Sequence, residues 1–279
     1  MLSSRPSVAL VVVLLSSVAG CGSTGARPAA PAGPSPVGQG RGAPALAPAE
    51  AASLEESWRL FVLKDPRWPA AREAWIARGG PATQLLAENL FRYFWSASNL
   101  GRRAEVTRVA YEAAAVGEPA VAYFVKPLVT DRWPLKEPVT AQVFNSDNPK
   151  QPLTKTFTHY DIDDVTRQHA AQVLAAIGPA AVPAVAAPGV LEGPVPSGRR
   201  YAAYALGAIG SDDAVDAVAR VLRTGATWQE RGAAAKALGF ALRKNTRARG
   251  PLEAARSDPD RFVREKAEEA LAGRTKIEW

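Results

Sequence analysis

Four stretches decide the fold of this chain: RQHAAQVLAAIG at residues 167–178, RRYAAYALGAIG at 199–210, RGAAAKALGFAL at 231–242 and REKAEEALAGRT at 264–275. Arginine recurs at Arg167, Arg199, Arg231 and Arg264, at intervals of 32, 32 and 33 residues. Three residues after each stands an alanine (Ala170, Ala202, Ala234, Ala267), and seven after each a leucine (Leu174, Leu206, Leu238, Leu271). Offsets of zero, three and seven lie along one face of an α-helix, so each copy is predicted to open with a similar amphipathic helix. Gly-Pro or Gly-Ser-Asp turns follow, then second apolar segments, AAVPAVAA at 180–187 and AVDAVARVLRTG at 214–225. Gly178 and Gly210 suit helix C-termini, and Ser211 or Asp212 suits the next N-cap. One helix pair cannot bury its apolar face alone, whereas stacked pairs share a continuous core.

The pattern resembles HEAT repeats, particularly the shorter HEAT-like form also found in phycobilisome lyases. DPDRFVREKAEEAL at 258–271 carries the resemblance most fully, and it covers roughly residues 161 to 273. It implies an all-α fold, a right-handed HEAT-like α-solenoid of stacked helix pairs, interrupted by a short β-hairpin or loop insertion. An aspartate six residues before the arginine exists as Asp161 and Asp258, but Gly193 and Gly225 fill the matching places. A buried Asp–Arg ladder through the whole stack is therefore not expected. GVLEGPVPSG at 189–198 predicts a broken joint between the first two copies. Fainter copies lie upstream, at 108–128 (RVAYEAAAVGEPAVAYFVKPL) and 72–95 (REAWIARGGPATQLLAENLFRYFW). Trp58, Phe61, Trp68, Trp75, Phe91, Phe94 and Trp95 read as core and cap of that end. The expected organisation is degenerate helical repeats over 51–130, an insertion over 131–163 and HEAT-like repeats over 164–279.

The insertion, from Arg132 to Asp164, holds four prolines and two β-rich runs, Val139 to Phe144 and Leu153 to Tyr160, around NSDNPKQP. A hairpin or extended loop is predicted there. Insertions held out by a rigid scaffold often carry specificity, which makes Trp133, Phe144 and Phe157 candidate partner contacts. A loop that merely covers a solenoid edge is the plainer alternative. His159, Asp161 and Asp163 lie close together, with His169 on the following helix. Imidazole with carboxylates suits divalent metals or acid–base work. Their spacing matches no strong metal motif, however, and Asp163 or Asp164 also suits a helix N-cap. No catalytic residue, metal or cofactor is assigned on this basis. Arg243, Lys244, Arg247 and Arg249 form a basic cluster, either a solvated helix end or a patch for anionic lipid or an acidic protein.

The amino terminus suggests an address. Arg5 precedes the apolar run from Val8 to Leu15, and small residues lead to Cys21, the only cysteine among 279 residues. That is the plan of a secretory signal peptide over 1–20, and the apolar run is too short to span a bilayer comfortably. Val18-Ala19-Gly20-Cys21 resembles the lipobox of bacterial lipoproteins. The resemblance implies a diacylglyceryl anchor on Cys21, cleavage before it, and often an N-acyl chain such as palmitate. Residues 22–50 hold six Gly, six Pro and eight Ala without an aromatic, so 21–50 is expected to be a lipidated, disordered tether. Gly22, rather than Asp, is expected to permit outer-membrane sorting, facing the periplasm, in a Gram-negative host.

The chain carries a formal charge of +7, with its basic residues dispersed. Export argues against a nucleic-acid partner. No nucleophile elbow, Walker loop or HExxH is present. The expected function is a membrane-anchored, non-enzymatic scaffold or adaptor, bound to an envelope protein through the solenoid groove or the insertion. The rivals are a ligand- or metal-binding lipoprotein, a lyase-type enzyme using the 159–169 His/Asp cluster, and a mainly structural envelope protein.

Overall fold

The computed structural model describes residues 48–99, 102–143 and 153–276. Cys21, the expected signal peptide and nearly all of the expected tether lie outside those residues. Helix α1 spans Pro48–Val62, so it begins just inside the stretch expected to be tether. It is followed by α2 (Trp68–Arg78), α3 (Gly80–Asn99), α4 (Arg103–Val116) and α5 (Glu118–Val129). Strands β1 (Arg132–Val143) and β2 (Leu153–Asp161) come next, then α6 (Asp164–Ile177). After a 3-10 turn come the one-turn helices α7 (Val182–Val185) and α8 (Pro188–Leu191). The chain continues with α9 (Pro196–Ile209), α10 (Asp212–Thr224), α11 (Trp228–Ala241), α12 (Arg249–Ala255) and α13 (Arg261–Leu271).

The fold is an α-solenoid. Helices α4, α6, α9, α11 and α13 pack side by side in chain order, with α5, α10 and α12 forming the second layer. Helices α6, α9, α11 and α13 are the four copies seen in the sequence. Ala170, Ala202, Ala234 and Ala267 are all fully buried, as are Leu174, Leu206 and Leu238. Leu271, in the last copy, is only partly covered. Where the second layer should follow α6, Pro183 and Pro188 each open a new short helix, since proline donates no backbone hydrogen bond and tolerates only a first turn. The joint predicted over 189–198 covers most of α8 and the turn before α9, and the break begins earlier than predicted, at α7.

Turn chemistry follows the sequence. Asp163 caps α6 by accepting from the Thr166 amide at 2.7 Å. Ser211 caps α10 and Thr227 caps α11, the latter in a reciprocal capping box with Glu230. Gly210 ends α9 in the left-handed conformation, which glycine adopts without a Cβ penalty. Small residues set the interhelical distance. A Cβ added to Gly207 of α9 would strike the Ala237 carbonyl oxygen of α11 and lie 2.9 Å from that residue's C and Cα. At Gly198 the obstacle is the Leu128 carbonyl of α5.

An arginine ladder does run along the stack, with a different partner from the one sought in the sequence. Arg199, Arg231 and Arg264 each donate to the main-chain carbonyl six residues earlier, at Gly193 (2.8 Å), Gly225 (3.1 Å) and Asp258 (2.7 Å). Two of them reach forward as well. Arg199 pairs with Glu230 at 2.9 Å, and Arg231 grips Asp258 through two bonds of 2.8 and 3.0 Å. The Arg231 guanidinium holds the Asp258 carboxyl below the ordinary carboxylate range.

At the amino-terminal end Phe61, Trp68, Trp75, Phe91 and Phe94 are buried, while Trp58 and Trp95 are partly covered. Arg108 lies over the Phe61 ring, 3.8 Å from its centroid, and Arg72 makes a buried pair with Glu112 at 3.0 Å.

Candidate functional site

The insertion is an antiparallel hairpin, β1 against β2. The first strand begins at Arg132 rather than Val139, despite Pro134 and Pro138. In a two-stranded sheet each strand has one outer edge, and proline is tolerated there because no ladder bond is lost. The register shifts between Pro134 and Val139 and then runs from Val139↔Phe157 to Val143↔Leu153, with apolar pairs at those two ends and Thr140↔Thr156, Ala141↔Lys155 and Gln142↔Thr154 between them. Trp133 pairs with Tyr160 in the backbone register, and Phe144 lies outside the described residues.

The root of the hairpin is tied to the first repeat. Arg167, buried, pairs closely with Asp131, meets Asp164 at 3.3 Å and donates to the Thr130 carbonyl at 3.3 Å. Trp95 Nε1 donates to the Asp161 carbonyl at 3.2 Å, and the Ile162 amide to the Asp131 carbonyl at 2.9 Å. The repeat arginine of α6 thus serves the insertion instead of the ladder.

The histidine and aspartate candidates are dispersed among separate jobs. His159 Nε2 lies 3.0 Å from Asp161 Oδ1, and its Nδ1 lies 3.1 Å from Thr158 Oγ1. Asp163 is the cap of α6. His169 is buried, its Nδ1 2.9 Å from Ser98 Oγ of α3. Burial lowers its pKa, Arg103 lowers it further, and Asp163 partly opposes them. Among the described residues no group of three or more His, Cys, Asp or Glu side chains has a metal-binding arrangement.

The basic cluster is spent on neighbouring turns. Arg243 donates to the Thr275 carbonyl at 2.6 Å and Lys244 to the Ala208 carbonyl at 2.6 Å. Arg247 pairs with Asp212 and Asp216, both at 3.0 Å, and Arg249 faces Glu253 at 3.9 Å. Asn245, between them, donates to the Gly210 carbonyl and to Asp212.

The sequence reading missed a cleft of about 600 Å³ at the starts of α6, α9 and α11. Leu191, Ala203, Val221 and Ala233 form its apolar lining, with Asp164, Arg199, Arg200 and Glu230 among the polar residues around them. Arg200 meets Asp164 at 3.2 Å and stands over the Tyr201 ring, 4.8 Å from its centroid. Helices α6 and α11 carry side-chain caps, but α9 has none. Val165 and Trp228, two of the exposed large apolar residues of the protein, immediately follow Asp164 and Thr227 of the cleft wall. Adjacent basic residues at 199–200 were the only trace of this site in the sequence.

Among the described residues no helix is long and apolar enough to cross a membrane. No curated protein matches the chain in sequence. A similar solved structure is human deoxyhypusine hydroxylase in complex with glycerol, at 18% identity and a TM-score of 0.34, covering 81% of this chain and 98% of that one. The expectation of a non-enzymatic chain is corrected: this neighbour is an enzyme, and fold alone does not decide for or against catalysis. At that level of likeness no activity or residue role passes to this chain. The family description HEAT repeats matches residues 151–239 and 187–272. Together with the stacked copies of α6, α9, α11 and α13, these matches show that the chain contains HEAT repeats.

Proposed function

We propose that this protein is a lipid-anchored adaptor of a bacterial envelope, in which the HEAT solenoid holds out its hairpin to a second protein. One observation carries the reading. A two-stranded sheet, β1 on β2, is inserted between α5 and α6, and each strand has a single strand neighbour among the described residues. An open strand edge is a template for a partner's strand, with main-chain hydrogen bonds giving affinity and alternate side chains giving specificity. Arg167 and Trp95 fix the root of the hairpin, so a partner meets a held element instead of a loose loop. The resemblance of Val18–Cys21 to a lipobox supports the anchor. Gly22 after the cysteine favours the outer membrane if the host is Gram-negative.

The test is cross-linking in intact cells, followed by purification and mass spectrometry, with wild type, Cys21→Ser and a deletion of 134–160. One dominant envelope partner, lost on deletion, supports the adaptor. An unchanged partner set in the deletion removes the hairpin from the proposal, and a Cys21→Ser chain still in the membrane fraction removes the anchor.

A further inference from the structure

The geometry points to a second, separate binding site: the cleft at the starts of α6, α9 and α11 takes an extended peptide segment centred on an acidic residue with apolar neighbours. The charges around the cleft are ordered by helix. Asp164 comes from α6, Arg199 and Arg200 from α9, and Glu230 from α11, so the three helices present negative, doubly positive, then negative charge. The α9 position is also the one helix start of the three without a side-chain cap, and an open helix start favours a negative group. A ligand complementary to that order carries its carboxylate in the middle and its cationic groups on either side.

The size fits a peptide. Neighbouring helices lie about 8–10 Å apart, so the reach from α6 to α11 is roughly 20 Å, the length of about five or six extended residues. The apolar floor of Leu191, Ala203, Val221 and Ala233 has room for the side chains flanking the acid.

Nothing in the cleft has to unfold to admit such a ligand. The Arg200–Asp164 pair is half-exposed on both sides, and surface pairs of that kind contribute little. An incoming carboxylate can share or replace Asp164, while the Tyr201 ring keeps the guanidinium in position. Arg199 is held by Glu230 and the Gly193 carbonyl, and its Nε makes no hydrogen bond.

The test uses the full chain and fluorescein-labelled peptides with a Lys at each end and Leu-Glu-Leu, Leu-Gln-Leu or Leu-Lys-Leu at the centre. Binding is read by anisotropy for wild type, Arg200→Ala and Arg200→Glu, with far-UV circular dichroism confirming that each variant folds. The expected result is saturable binding of the Glu peptide, at least about tenfold weaker for the Gln peptide and for Arg200→Ala. Arg200→Glu is expected to reverse the preference toward the Lys peptide. Equal affinity for all three peptides, indifference to Arg200→Glu, or absence of saturable binding would overturn the proposal. So would concentration-dependent self-association lost in Arg200→Glu, which would make a second copy of this chain the occupant.

Discussion

Replacing Gly207 by Ala adds one methyl group to a helix, a change that normally stabilises, yet here it should do the opposite. In an unobstructed helix interior the change contributes up to about 1 kcal/mol, because alanine loses less backbone entropy. At Gly207 the new Cβ would strike the Ala237 carbonyl oxygen and sit 2.9 Å from two more main-chain atoms of α11. Carbon atoms in comfortable contact are about 3.5–4.0 Å apart, so α9 and α11 must separate by about 0.6–1 Å. Main-chain atoms of a helix cannot rotate aside. The gap therefore opens along a seam in which Ala202, Ala205, Leu206, Ala234 and Leu238 are all fully buried. A gap of that size forfeits about a quarter to a half of each contact across it. Overpacking costs about 1–3 kcal/mol, and a rigid obstacle points to the upper end, so after the helical gain the net loss is about 2 kcal/mol. For a domain of this size that lowers the melting temperature by about 4–8 °C. Gly250 supplies the control, since a Cβ there meets nothing within 4 Å. Gly250→Ala should be neutral or stabilising, by about 0.5 kcal/mol. Calorimetry and urea unfolding of the two variants decide the matter. A Gly207→Ala protein as stable as wild type would refute the claim that close main-chain contact sets the spacing of the stack.

Three further outcomes are expected. Asp258→Asn removes a charge from the two-bond grip on Arg231, where both side chains are largely buried, and should cost about 2–4 kcal/mol in urea unfolding; a loss under about 0.5 kcal/mol would class the pair with exposed ones. His169 has its folded pKa lowered from 6.5 by burial, so the unfolded chain binds its proton first, and stability present above pH 6.5 declines as pH falls below it. His169→Gln should flatten unfolding free energy against pH between pH 7 and 5; an unchanged slope would assign it elsewhere. Lys244→Met breaks the bond to the Ala208 carbonyl at an exposed site and should cost under about 1.5 kcal/mol, measured by thermal unfolding.

The repeat register was legible because Ala170, Ala202, Ala234 and Ala267 must be small where helices meet, and their Leu partners must be large. Composition at those positions is the packing constraint itself. The broken second layer was legible only in part: GVLEGPVPSG at 189–198 marked its end, whereas AAVPAVAA at 180–187 read as a second apolar segment. The arginine ladder was not, because its acceptors at Gly193 and Gly225 are main-chain carbonyls, and every residue has one. The start of β1 was hidden by Pro134 and Pro138, which read as breakers until the strand proves to lie on an edge. The cleft joins residues of α6, α8, α9, α10 and α11, and in the basic run Arg247 finds its acids, Asp212 and Asp216, about one repeat away. Neither arrangement leaves a local signature. Histidine and aspartate proximity in sequence misled in the opposite direction: Asp163 caps a helix and His169 faces Ser98 in the core.

The contact of Gly198 with Leu128 sets a rule for how this chain can change in length. In an ordinary solenoid each repeat touches only its neighbours, so a unit can be duplicated or lost with small repairs. Here α9 rests on α5, passing over the shortened unit of α6, α7 and α8 between them. Three successive units are welded there, and none can be exchanged without rebuilding the other two. Beyond α9 the pairings return to nearest neighbours. Gain or loss of a whole unit should therefore be tolerated only on the carboxyl-terminal side of α9, while the part that roots the hairpin behaves as one piece.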